Sequence, residues 1–141
     1  MNIKGLCAGD LMHKGVQTVS EAIPLVDAAR LMHKLHVSSL VVEKANANDA
    51  FGILTRKDVV VALSSDMPGV EPLLVKDVMT KPAITVAPEL AIGHCMKMMR
   101  MAGVRRMPVE KDGRLIGILS NSDLFRWYAE NLASAERPRS K

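Results

Sequence analysis

The chain has 141 residues, 48% of them hydrophobic, which supports one compact domain or two small units with a shared core and excludes a disordered polymer. Only 3% are aromatic, so the core must be aliphatic, with ten Met as gap fillers. The net charge of +4 falls partly on the tail residues Arg137, Arg139 and Lys141; it is too mild to mark a nucleic-acid surface, and no run of 18 apolar residues offers a membrane span.

The opening MNIKGLCAGD lacks the apolar stretch of a secretion signal, and Cys7 and Cys95 fit no CxxC or metal spacing. Both features predict a cytoplasmic protein with reduced thiols. From there the chain repeats itself. Asp10-Leu11-Met12 recurs as Asp77-Val78-Met79 and Thr18-Val19 as Thr85-Val86, in both cases 67 residues on. Gly52-Ile53-Leu54 recurs as Gly117-Ile118-Leu119, only 65 residues on, so the hairpin loop of the first copy is two residues longer.

Each copy reads alike. A short extended segment (16–19, 83–86) precedes a helix (24–35, 89–102), whose apolar positions share one face: Leu25, Ala28, Ala29, Met32 and Leu35, then Ile92, Cys95, Met96, Met99 and Ala102. Pro24 and Pro88 suit the helix start. Two strands follow (37–43 and 51–54; 105–110 and 115–119), joined by turns containing Asn-Asp and Lys-Asp-Gly. A closing helix ends each copy (56–63, 121–133). Residues 64–76, broken by Met67-Pro68-Gly69 and Pro72, read as the connection.

The second strand of each copy ends in Gly-Ile-Leu-[Thr/Ser]-x-x-Asp, at Thr55 and Asp58 and again at Ser120 and Asp123. Two readings of this corner stay open. A hydroxyl followed three residues later by an acid is a helix cap. The same corner also offers free N–H groups to an anion and a carboxylate to a ribose diol.

Two such copies in this order resemble a tandem pair of cystathionine β-synthase (CBS) domains, a Bateman module, over residues 6–133. The resemblance rests on the paired openings, on Val37-Ser-Ser-Leu-Val-Val42 and Val104-Arg-Arg-Met-Pro-Val109, and on the doubled corner. It implies an α+β fold of two βαββα units about a pseudo-two-fold axis, with CBS domain 1 at 6–66, a linker at 67–76, CBS domain 2 at 77–133 and a disordered tail at 134–141. It implies up to two clefts for AMP, ADP, ATP or S-adenosylmethionine, with no cofactor required. In the first, Asp58 would hold ribose, Thr55 and Arg56 would lie at ribose or phosphate, and Val16, Gln17, Thr18, Val37, Ser38, Ser39 and Leu40 would wall the adenine. In the second, Asp123 and Ser120 take those roles, with Ala83, Ile84, Thr85, Val104, Arg105, Arg106, Met107 and Pro108 around the base. The copies differ in charge: Arg56-Lys57 follows the first corner and Asn121-Ser122 the second, while Arg105-Arg106 replaces Ser38-Ser39.

The expected function is a non-catalytic regulatory sensor that signals to a separate enzyme or transporter, or, as an alternative, an interaction module with vestigial clefts. No nucleophile–base pair, metal triad or P-loop supports an enzyme. Nucleic-acid binding needs stacking aromatics, and the chain has four. His33 and His36 lack a third metal ligand, and His13 and His94 read as surface or helix residues. The Met run 96–101 exceeds what one buried stripe needs, and the surplus, with the aromatics in 124–128, predicts contact with a second subunit in a homodimer.

Overall fold

A computed structural model describes residues 5–64 and 72–136. The elements in chain order are α1 (Ala8–Leu11), β1 (Thr18–Val19), α2 (Leu25–Leu35), β2 (Ser39–Val42), β3 (Gly52–Thr55), α3 (Arg56–Leu63), α4 (Val75–Val78), α5 (Ile92–Ala102), β4 (Arg106–Lys111), β5 (Arg114–Ser120) and α6 (Asn121–Glu136). They form two compact units. A continuous unit is Gln17–Ala83. A split unit joins the chain up to Val16 to the chain from Ile84 onward.

In the continuous unit β1 runs parallel to β2, and β2 antiparallel to β3, with Ser39 opposite Thr55 and Val42 opposite Gly52. Thr80 adds an isolated bridge to Ile53. The split unit repeats the pattern: Val86 bridges Val109 in parallel, β4 pairs antiparallel with β5, and His13 bridges Ile118. Its hairpin turns on Asp112 and Gly113, both at positive φ, as a two-residue turn between right-twisted strands requires. The expected first strand of this copy shrinks to that single bridge at Val86.

α2 and α3 fall where the sequence places them, but α5 begins at Ile92, with Ala91 and not Pro88 at its start. Pro24 and Ala91 stand at equivalent N-caps, and His36 and Gly103 at equivalent left-handed C-caps, with φ of 56° and 69°. The apolar stripe of α2 sends Leu25, Ala28 and Met32 into a core with Leu40, Leu54 and Val75; that of α5 sends Ile92, Cys95 and Met99 into a core with Met107, Val109 and Leu119. Each fully buried Leu, Ile or Met contributes about 2 kcal/mol of hydrophobic stabilisation.

The compact units do not follow the sequence repeat. The opening of each copy packs on the strands of the other. The N–H of Ala8 donates to the Leu90 carbonyl (2.8 Å) and that of Ile92 to Leu6 (3.0 Å); at the equivalent positions Val75 donates to Ile23 (2.9 Å) and Leu25 to Leu73 (2.8 Å). The openings are themselves built, as the one-turn helices α1 and α4. Asp10 caps the first through the N–H of Cys7 (2.8 Å) and Asp77 the second through that of Leu74 (2.8 Å). Accordingly Val75 and Lys76, read from sequence as linker, are helical, because Val75 is wholly buried in the continuous core. Most of the expected linker, with residues 137–141 of the expected tail, lies outside the described residues, and α6 continues past Ser134 to Glu136.

This exchange explains the glycine of each Gly-Ile-Leu. A Cβ on Gly52 would lie 3.1 Å from the Thr80 carbonyl and 3.3 Å from Met79 Sδ; one on Gly117 would lie 2.5 Å from Met12 Sδ and 3.0 Å from the His13 carbonyl. The Met of each opening and the Gly of each corner strand are one contact, made twice.

Candidate functional site

The two corners form on the same plan. At the first, β3 ends in extended backbone at Thr55 and α3 begins. The Thr55 hydroxyl accepts from the Asp58 N–H (3.1 Å), and Asp58 Oδ2 accepts from the Thr55 N–H (2.9 Å). The Arg56 N–H donates to the Ser38 carbonyl (2.9 Å), which ties the helix start to the end of β2. Asp58 therefore meets the chain through one carboxylate oxygen, and is only half-buried.

At the second corner the carboxylate is more deeply engaged. Asp123 Oδ2 accepts from both the N–H and the hydroxyl of Ser120 (3.0 Å each), and Oδ1 accepts from Arg126 Nη1 (3.3 Å). Its side chain is 10% exposed beside that guanidinium. The Asp123 N–H closes the box on Ser120 Oγ (3.2 Å), and the Asn121 N–H donates to the Arg105 carbonyl (2.9 Å). Arg106 lies opposite Ser120 in the hairpin and Arg105 is exposed, so the two arginines part as strand alternation requires. The capping reading of both corners thus holds in full. A sugar diol would compete with one protein bond at Asp58, and at Asp123 with three, one of them from the Arg126 guanidinium.

The other expected ligand residues divide. Ser38, Ser39, Thr55, Arg56 and Asp58 come together at one end of the continuous sheet, and the Gln17 carbonyl accepts from Val41 on the adjoining strand (3.4 Å). Leu40, Met107 and Pro108 are buried in the interior. Thr18 gives its hydroxyl to Glu43 (2.8 Å) and Thr85 to Glu110 (2.9 Å). Val16 belongs to the split unit, and Ala83 to the continuous one, where its N–H donates to Phe51 (2.7 Å). Ile84 is exposed. Val37 and Arg56 also line a cavity of about 450 Å³ between α2 and α3, with Ala29, Met32, His33, His36, Val59 and Val60; Asp58 is not in its wall. Val104 lines the matching cavity, about 360 Å³, between α5 and α6, with Met96, Met99, Arg100, Asn121, Leu124, Phe125 and Tyr128. The His33 and His36 rings stand 6.4 Å apart, and among the described residues no group of three ligating side chains forms. Nor is any helix among them long and apolar enough to cross a membrane.

Sequence reading missed an ion cluster at the far end of the continuous sheet. Lys81 Nζ donates to Glu21 Oε1 (2.6 Å), Asp49 Oδ2 (2.5 Å) and the Glu43 carbonyl (3.3 Å), and its side chain is 13% exposed. Asp49 lies in the longer hairpin loop of the first copy, so that insertion has a partner. The Lys81 bond, with N–H bonds from Ala45 and Ala50, holds the Asp49 carboxyl down from 3.8 to about 2. A depressed carboxyl stabilises the fold in full above its unfolded value, and the contribution is lost as pH falls through the folded value. Burial pulls Lys81 down, but its bonds to Asp49 and Glu21 outweigh this and raise it, so its contribution persists until strongly alkaline pH. The stability gap between the native chain and Lys81→Met should therefore be wide at neutral pH and close between about pH 4 and pH 2, as read from urea midpoints.

The fold and the corners together define a class: a tandem pair of small α+β units, each with a capped strand-to-helix corner. The chain belongs to the CBS domain family, whose model matches residues 8–65 and 75–130. It is 36% identical over 125 residues to an inosine-5'-monophosphate dehydrogenase of Korarchaeum cryptofilum, covering 88% of this chain but only 24% of that enzyme. Among solved structures it is similar to a hexameric CBS-CP12 protein from bloom-forming cyanobacteria (29% identity, TM-score 0.76, 95% of this chain and 80% of that one). It shares its fold with the CBS domain pair of protein MJ0100, solved in complex with 5'-methylthioadenosine and S-adenosyl-L-methionine (22% identity, TM-score 0.76, 88% of this chain and 96% of that one). CBS domain pairs are in general regulatory ligand-binding modules.

Proposed function

We propose that this chain is a non-catalytic regulatory module that binds an adenosine compound at the Asp58 corner and passes the signal to a separate enzyme or transporter. The carrying observation is the asymmetry of the corners. Asp58 keeps a carboxylate oxygen beyond its cap bond, on a helix start flanked by Arg56 and Lys57, whereas Asp123 is held by Ser120 and Arg126. A ribose diol needs a carboxylate that accepts two hydrogen bonds, and a phosphate is drawn to a helix start bearing basic side chains. AMP, ADP, ATP and S-adenosylmethionine all carry the adenosine part. The MJ0100 complex supports the reading. The chain works as a homodimer in the reducing cytoplasm, where Cys7 and Cys95 stay thiols; the exposed Val60, Val61, Met96 and Phe125 on its helices favour self-association.

The test is thermal unfolding with and without each adenosine compound at millimolar concentration. A ligand at about 100 times its Kd stabilises by about 2.7 kcal/mol. For a chain of this size that raises the melting temperature by roughly 5–10 °C. A flat panel favours the second reading, an interaction module in which the corners serve only as caps; the complete capping boxes at both corners are the observation behind it.

A further inference from the structure

We propose that Cys7 and Cys95 are a redox modification site, closed to a disulfide by hydrogen peroxide, which joins the two chain segments of the split unit covalently. They are the only cysteines of the chain, and both are free thiols. The fold brings them together from distant places in the sequence. The Ala8 N–H donates to the Leu90 carbonyl (2.8 Å) and the Ile92 N–H to the Leu6 carbonyl (3.0 Å), so Cys7 and Ala91, lying between these bonds, form the closer kind of antiparallel pair. Such a pair sets its Cα atoms about 4.5 Å apart, with both side chains on one face. Cys95 lies one helical turn further on, its N–H donating to the Ala91 carbonyl (3.1 Å). Helical side chains lean toward the N-terminus, and that of Cys95 does so: its Sγ donates to the Leu90 carbonyl (3.8 Å). One carbonyl thus receives both the Cys95 thiol and the N–H of the residue after Cys7.

The surroundings of the two thiols assign them different parts. Cys7 is half-buried, and its thiol donates to Asp10 Oδ2 (3.2 Å). Cys95 is wholly buried in the core with Ala8, and burial, with a smaller push from the neighbouring Cys7, raises its thiol. Peroxide therefore meets Cys7 first. The Cys7 sulfur, its proton lost to solvent, attacks one peroxide oxygen. The O–O bond breaks, hydroxide leaves and is protonated to water, and Cys7 becomes a sulfenic acid. Rotation about its Cα–Cβ bond turns the Cys7 sulfur from Asp10 toward Cys95, while the Cys7 N–H keeps its bond to Asp10 (2.8 Å) and α1 stays capped. The Cys95 sulfur attacks the Cys7 sulfur, the S–O bond breaks, and the hydroxyl leaves as water with the Cys95 proton. The thiol pair is oxidised by the two electrons that the peroxide takes up. Glutathione reverses the closure by thiol exchange, so the site rests reduced until peroxide rises. Among the described residues the two segments of the split unit meet through hydrogen bonds and packing, and the disulfide would make that joint covalent.

The test treats the native chain with hydrogen peroxide in slight excess, alkylates it in denaturant and weighs it under non-reducing conditions. The expected product is a single chain lighter by two hydrogen atoms, with no thiol left to alkylate and a cross-linked peptide joining Cys7 to Cys95. Dithiothreitol should restore both thiols. Closure of so long a loop should raise the melting temperature by roughly 10 °C over the reduced chain. Cys95→Ala should leave Cys7 to oxidise onward to sulfinic acid or to link to a second copy, and Cys7→Ala should leave the buried Cys95 thiol unmodified. Two free thiols that survive a large excess of peroxide, a native chain whose Cys7 runs on to sulfinic acid, or a cross-link only between copies would overturn the proposal. A Cys7–Cys95 cross-link that lowers the melting temperature would overturn it as well, since the folded unit would then not accommodate the bond.

Discussion

Replacing Gly117 by Val is expected to destabilise the chain by about 3 kcal/mol, near the upper end of what overpacking costs. For a chain of this size that lowers the melting temperature by roughly 10 °C. The cause is local and named. The new Cβ would fall 2.5 Å from Met12 Sδ and 3.0 Å from the His13 carbonyl, where α1 closes on β5. The sulfur sits on a flexible chain and can move; the carbonyl is held by the reciprocal His13–Ile118 bonds (2.8 and 3.0 Å) and cannot. Met12→Ala in the same chain should therefore recover part of the loss but not all of it, a non-additivity that a double-mutant cycle of urea unfolding reads directly. Gly52→Ala, whose nearest contacts are 3.1–3.3 Å, should cost less. Equal, small costs at both glycines would mean that the exchanged openings do not pack as described.

The second large effect is on binding. Asp58→Ala is expected to lower affinity for the adenosine ligand by about a hundredfold, the loss of two hydrogen bonds to a charged acceptor. Asp123→Ala should change that affinity several-fold at most, since Asp123 is already held by Ser120 and Arg126. Both variants lose a cap and so about 1 kcal/mol of stability. Melting without ligand measures that loss separately from binding. If Asp123→Ala abolishes binding while Asp58→Ala leaves it intact, the assignment of the corner is reversed.

Much of this was legible in the sequence because it is local. The Gly-Ile-Leu-[Thr/Ser]-x-x-Asp corner carries its own geometry: hydroxyl and carboxylate three residues apart close a capping box wherever a strand runs into a helix. The apolar stripe of α2 and the Asp112-Gly113 turn are likewise short-range signals. What escaped notice depends on distant partners. Nothing near Met12 says that it lies on Gly117, and nothing near Val75 says that it fills the core of the first copy's strands; periodicity is silent about such exchanges. Lys81 gives no sign of Asp49 and Glu21, which lie 32 and 60 residues away. Leu40 and Met107 stand among the adenine walls that the family resemblance implies; their burial in the two cores depends on the helices packed over them, which the strand sequence does not name. The one available clue was the repeat itself, since Asp-x-Met at the start and Gly in the strand recur together.

The most direct test of the adenosine-binding proposal is calorimetric titration of the native chain with the best binder of the adenosine panel and with its 2',3'-dideoxy counterpart. Saturable binding of the ribose compound, with binding of the dideoxy compound weakened by about a hundredfold, is the expected result. Equal affinity for the two compounds, or no heat with any member of the panel, would contradict it.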